Sequence, residues 1–124
     1  MIAVKAVTAY TALCQLMDLE WDFQTAYELL QIKRKLQPHA EFFVEAEQQL
    51  MLKYAARDDK GNVDIDQKGT FTVNGAENVK RYKEERAKLG AVEIQYSNEP
   101  VQIRRPEKIK PVMIEALEGV IEFI

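Results

Sequence analysis

Residues 50–75, LMLKYAARDDKGNVDIDQKGTFTVNG, decide how this chain is to be read. A helical apolar pattern stops at Tyr54-Ala55-Ala56-Arg57, and Asp58-Asp59-Lys60-Gly61-Asn62 has the composition of a turn. Val63-Asp64-Ile65-Asp66 and Thr70-Phe71-Thr72-Val73 each alternate apolar and polar residues, with Gln67-Lys68-Gly69 between them. That pattern predicts a β-hairpin near 63–73, with Val63, Ile65, Phe71 and Val73 on one face. Helix into hairpin predicts an α+β fold.

Toward the amino terminus, Ile2-Ala3-Val4-Lys5-Ala6-Val7 is short and rich in β-branched residues, which predicts a strand. A helix should follow, capped near Thr8 or Thr11, with Leu13, Leu16 and Met17 as its inward stripe. Asp22 has capping potential for a second helix. There Phe23, Ala26, Tyr27 and Leu30 lie on one face, and Leu29, Ile32 and Leu36 extend it around the side. Pro38 disfavours helical backbone at Gln37, so the helices are expected to be kinked or paired around it. Phe42, Phe43, Ala46, Leu50 and Tyr54 then mark a helix reaching about Arg57.

Toward the carboxy terminus, residues 76–89 read as a charged helix supported by Glu77→Arg81 and Glu84→Lys88 pairs. Gly90 suits its end. Ala91-Val92-Glu93-Ile94-Gln95-Tyr96 is the clearest strand, and Val101-Gln102-Ile103-Arg104 a second, shortened by Pro100 and Pro106. Pro111 opens a short final helix carrying Val112, Met113, Leu117 and Val120. The expectation is one domain over 1–124, in which helices pack with a small, mainly antiparallel sheet. Its core would hold Leu13, Leu16, Phe23, Tyr27, Leu30, Leu50, Tyr54, Val79, Tyr82, Val92, Ile94 and Leu117.

Bulk properties narrow the function classes. At 124 residues a chain can bury about two-thirds of its unfolded surface, so it needs no staples. The net charge of −3 argues against a broad phosphate-binding surface. Cys14 is the single cysteine, so no internal disulfide is expected. The first 22 residues lack the basic start and long apolar core of a signal peptide, and no apolar run reaches membrane-spanning length.

The candidate chemistry dissolves under its own spacing. His39, the single histidine, stands near Glu41 and Glu45, but one histidine and two glutamates are no recognised ligand set. Asp58, Asp59, Asn62, Asp64 and Asp66 resemble a calcium loop. The EF-hand pattern, however, needs acceptors at 56, 58 and 60 ahead of Gly61, and those positions hold Ala56, Asp58 and Lys60. Cys14, between Leu13 and Leu16, reads as structural. No catalytic, cofactor-binding or metal-binding residue is assigned, and no cofactor is expected.

Binding surfaces are the remaining candidates. Phe42-Phe43-Val44 subtends roughly 200° of a helix, more than one core face can take. The surplus either has cover on two sides or meets a partner. Lys80, Arg81, Lys83, Arg104 and Arg105 are the alternative, a small nucleic-acid site. Against it, the seven basic residues from Asp58 to Gly90 are matched by seven acidic ones.

The order of short motifs is similar to a known family. These are residues 2–17, Ala26-Tyr27-Glu28-Leu29, Leu52-Lys53-Tyr54 with Asp59-Lys60-Gly61-Asn62, Val92-Glu93-Ile94, and Ile109-Lys110-Pro111. Ile114-Glu115-Ala116-Leu117-Glu118 and Ile121-Glu122-Phe123 close the chain. Nearly end to end, it resembles a family of small uncharacterised proteins of tailed phages and prophages of Gram-positive bacteria. Family members more often carry Gly in place of Ala55, so the helix is expected to run longer here. The resemblance implies a setting, the cytoplasm of a bacterial host, and no mechanism. With it, the expected function is a non-enzymatic phage accessory protein. It would bind another protein, phage or host, through weak candidates Phe42, Phe43, Val44, Arg104 and Arg105. Self-association is compatible with this, and no membrane partner is expected.

Overall fold

One long helix, α2 (Phe23–Tyr54), is the spine of the molecule. The computed structural model describes residues 1–96 and 99–124. At 1.5 Å per residue α2 is a rod about 48 Å long. The Asp22 side chain caps its start by accepting from the Thr25 N–H at 3.4 Å. A hydrogen bond with the Thr25 side chain, and to a lesser degree this backbone one, holds the Asp22 carboxyl below its ordinary range. The helix ends at Tyr54, where Ala55 turns extended. Arg57 donates to the Leu52 carbonyl at 2.9 Å, a cation on an end that exposes free carbonyls.

Pro38 lies inside α2 and does not interrupt it. Its ring removes one donor, and the carbonyl left over belongs to Arg34, an exposed position open to water. The buried stripe runs straight past it: Leu29, Ile32, Leu36, Ala40 and Phe43. The spacing of three and four residues keeps these side chains on one face. Phe23 and Tyr27, expected in the core, stack on each other outside it, with Phe23 83% exposed.

That stripe packs on α1 (Ala3–Leu16), which buries Ala3, Ala6, Ala9, Ala12, Leu13 and Leu16. The expected strand at 2–7 is therefore corrected to helix. Alanine every three residues gives a narrow, flat face on which a second helix can lie close. That tertiary gain outweighs the β preference of Val4 and Val7. Trp21 closes the corner by donating its indole N–H to the Leu16 carbonyl at 3.0 Å.

The expected sheet is corrected as well. More than half of the chain is helical, and the one sheet among the described residues is a parallel pair, β1 (Val101–Ile103) with β2 (Ile121–Phe123). It is parallel because the connection carries α4 (Pro111–Ala116), long enough for a crossover. The final helix stops at Ala116, short of the expected Val120. Gly119, at φ +81°, turns the chain into β2. Lys5 reaches across from α1 to the α4 carbonyls of Glu115 and Ala116, at 3.1 and 2.8 Å.

No mainly antiparallel sheet forms. Residues 91–96, expected as the clearest strand, make a single bridge, Ile2 to Glu93. Their partner turns helical at Ala3, so no ladder can grow. Residues 55–73 likewise form isolated bridges, Ala55–Val73, Arg57–Val63 and Ile65–Phe71. These segments are short and wet, with Ile65 exposed, so little apolar burial is available to extend them.

Two copies of one turn shape this lobe. Asp58 accepts from the Lys60 and Asn62 amides, and Asp66 from those of Lys68 and Thr70. Gly61 and Gly69 take positive φ at matching places, +81° and +76°. Two of the residues that resembled a calcium loop, Asp58 and Asp66, therefore serve backbone turns. The lobe rests on α3 (Ala76–Gly90) through Tyr82, whose ring meets Phe71 at 5.5 Å and Tyr54 at 6.1 Å, both edge-on.

Candidate functional site

The surplus at residues 42–44 resolves by helix phase. Phe43 points into the core and is 6% exposed, while Phe42 is 68% and Val44 47% exposed. At 100° per residue Phe42 and Val44 leave opposite flanks of α2. Phe43 is held by the fold itself, leaving two separate surfaces where the sequence showed one apolar run.

On the Phe42 flank, Pro38 lies one turn earlier and is also exposed. On the Val44 flank α1, α2 and α3 enclose an apolar groove of about 710 Å³. It continues between α1 and α2 into a second hollow of about 390 Å³. Val7 and Val44 line both, so they sit where the two join.

The α1 wall of the groove carries Val4, Val7, Thr8 and Thr11. Val4 is 44% exposed. The hydroxyls fold back, Thr8 donating to the Val4 carbonyl at 2.9 Å and Thr11 to the Val7 carbonyl at 3.0 Å. They therefore add no unmet donor to the strip. The β preference of residues 2–7 hides this stripe in the sequence. Its spacing of i, i+3, i+4 and i+7 is the signal that could have found it.

The ends of the groove differ in charge. At the α3 end, Arg86 pairs with Glu47 at 3.3 Å, which leaves Lys83 as the excess charge. At the far end lie Glu41 and Glu45. Glu41 accepts from the Gln37 amide at 2.9 Å. Burial pushes the nearby Tyr10 phenol up, helped by a hydrogen bond with Cys14 and by the charge of Glu41.

The basic candidates lie on separate elements. Lys80, Arg81 and Lys83 lie on α3, and Arg81 pairs with Glu77 at 2.8 Å. Arg104 and Arg105 follow β1 and are exposed. His39 is half-buried on α2, and no group of three His, Cys, Asp or Glu residues is placed to hold a metal ion among the described residues. No described helix is long and apolar enough to cross a membrane. No protein-family model, curated protein or solved structure matches this chain.

Proposed function

We propose that this chain is a non-enzymatic phage or prophage accessory protein that acts by binding another protein in the cytoplasm of a bacterial host. The observation that carries the reading is the outward Phe42, on a rigid helix whose other apolar stripe is already spent on the core. An aromatic ring fixed on an ordered element is an economical anchor, since little side-chain freedom is lost on contact. The phage setting is supported by the sequence resemblance. Both an assembly accessory and an inhibitor of a host defence system are compatible with such a surface.

The test is capture by the tagged protein from infected cells, comparing the natural chain with Phe42→Asp. One dominant partner should be retained by the first and lost by the second, with thermal stability unchanged. Equal capture by both would remove Phe42 from the interface, and no partner under any condition would end the reading. Nucleic-acid binding is the competing reading, favoured by the exposure of Arg104 and Arg105 without carboxylate partners among the described residues. It predicts affinity falling steeply with salt. No binding to mixed-sequence DNA or RNA at low salt would remove it.

A further inference from the structure

The Val44 flank changes charge from one end to the other. One end carries the excess cation Lys83, the other Glu41 and Glu45, and the apolar junction of Val7 and Val44 lies between them. A surface of this kind is complementary to itself. Turned by 180° about an axis through its middle, it sets the basic end of one copy over the acidic end of the other, and apolar centre on apolar centre.

We propose that this groove is closed by a second copy of the chain, packed about a two-fold axis through Val7 and Val44. Lys83 of each protomer then faces Glu45 of its partner, giving two equivalent ion pairs around a dry strip of Val4, Val7 and Val44. Both charged side chains are without an ion-pair partner within the chain among the described residues, so neither has an internal contact to break. The threonine hydroxyls of the strip already donate within α1, so drying it strands neither donor. The charge pattern also favours this occupant over an arbitrary apolar one. Two chains of net charge −3 repel at a distance, and ordered local pairs are what such a dimer requires.

The inference goes beyond the partner read at Phe42 and is tested apart from it, by self-association alone. Sedimentation velocity across a concentration series should show a reversible dimer. Val44→Asp should abolish it. Lys83→Glu and Glu45→Lys should each weaken it about tenfold or more, because each homodimer then meets like charge on like charge twice. Mixed in equal amounts, these two variants should recover the dimer. In the mixed pair the introduced carboxylate of one chain meets the introduced ammonium of the other. The second contact is the natural one, Lys83 with Glu45, so both again join opposite charges. Circular dichroism of each variant establishes that it is folded. A natural chain that stays monomeric to millimolar concentration would overturn the proposal. So would a dimer indifferent to Val44→Asp, or single variants that do not rescue each other. None of these outcomes touches the capture experiment with Phe42→Asp, so the two readings fail separately.

Discussion

Phe42 and Phe43 are neighbours in sequence and opposites in environment, and replacing each by alanine is a direct test of the helix phase. Phe43 is 6% exposed and Phe42 68%. A buried phenylalanine removes on the order of 150 Å² from water, worth about 4 kcal/mol at ~25 cal/mol per Å². Truncation in a core costs roughly 3–5 kcal/mol once the cavity is included. In a chain of this size each kcal/mol moves Tm by about 3–5 °C. Phe43→Ala should therefore lower Tm by about 10–20 °C. Phe42→Ala should stay within roughly 0.5 kcal/mol, since alanine is also the better helix former. Thermal and urea unfolding followed by circular dichroism measure both. If Phe43→Ala does not fold, Phe43→Leu keeps the comparison open at a cost of roughly 1–2 kcal/mol. A loss at Phe42 equal to that at Phe43 would refute the phase of α2, and with it both proposed surfaces.

Three other outcomes follow from single contacts. Lys5→Met keeps the side-chain length but loses the ammonium at the α4 carboxy terminus, and urea unfolding should show a loss of about 1–2 kcal/mol. Gly61→Ala and Gly69→Ala force a side chain into positive φ with no neighbour in the way, so each should cost about 1–2 kcal/mol. The two equivalent turns should respond alike and additively in thermal melts. The Glu85 carboxyl is held below its ordinary value of 4.5, chiefly by the hydrogen bond from Lys53 and then by that from Tyr54. Its stabilising contribution is thus complete above 4.5 and lost as pH falls through the lower folded value. The Lys53 amine is raised by its hydrogen bond with Glu85 and by that carboxylate's charge, so its share is complete below its ordinary 10.5 and lost as pH rises through the higher folded value. Amide exchange in residues 53–57 and 71–86 should quicken slightly in acid while α1 does not change, and Glu85→Gln should show the same small loss of protection already at neutral pH.

How much of this was legible in the sequence depends on which signal the local pattern carried. The turns at Gly61 and Gly69 and the charged helix beyond Gly75 follow from local chemistry, turn residues and i,i+4 pairs, whereas the long helix ends at Tyr54, short of the expected Arg57. The phase of α2 is ambiguous locally, because two apolar stripes begin together. Phe23, Tyr27 and Leu30 run on into Arg34 and Glu41, whereas Leu29, Ile32 and Leu36 run on into Ala40 and Phe43. Following each stripe past Pro38 separates them, but a proline that looks like a boundary hides the continuation. The first turn of α1 is misleading for another reason. Val4 and Val7 speak for a strand, and the alanines that decide the matter count only through the helix packed on them. The same ambiguity removes the partner strand for residues 91–96 and conceals the Val4, Val7, Thr8 and Thr11 stripe. The parallel pairing of β1 and β2 is invisible locally, since it depends on a connection folding back through α4.

The long helix joins two halves of different physical character, and this bears on the groove between them. Its first half, with α1, α4, β1 and β2, surrounds a continuous apolar core. From residue 56 to residue 89 no described residue is buried. That half is held by rings meeting edge-on and by surface ion pairs such as Lys53–Glu85. Exposed pairs contribute little and aromatic edges about a kcal/mol each, so local opening there costs less than opening the core. Yet α3, which carries Lys83, does not swing freely. Gly90 at its end lies so close to α1 that an added Cβ would stand 3.4 Å from Val4 Cβ, and the Ala3 amide donates to the Val92 carbonyl at 2.8 Å. The basic wall of the groove is therefore pinned to the firm half at Gly90 and Val92, and to α2 through Tyr54 and Glu47 along its length. Its position is set where the proposed dimer contact needs it, while the twin-turn lobe beyond remains the part of the molecule that can move at low cost.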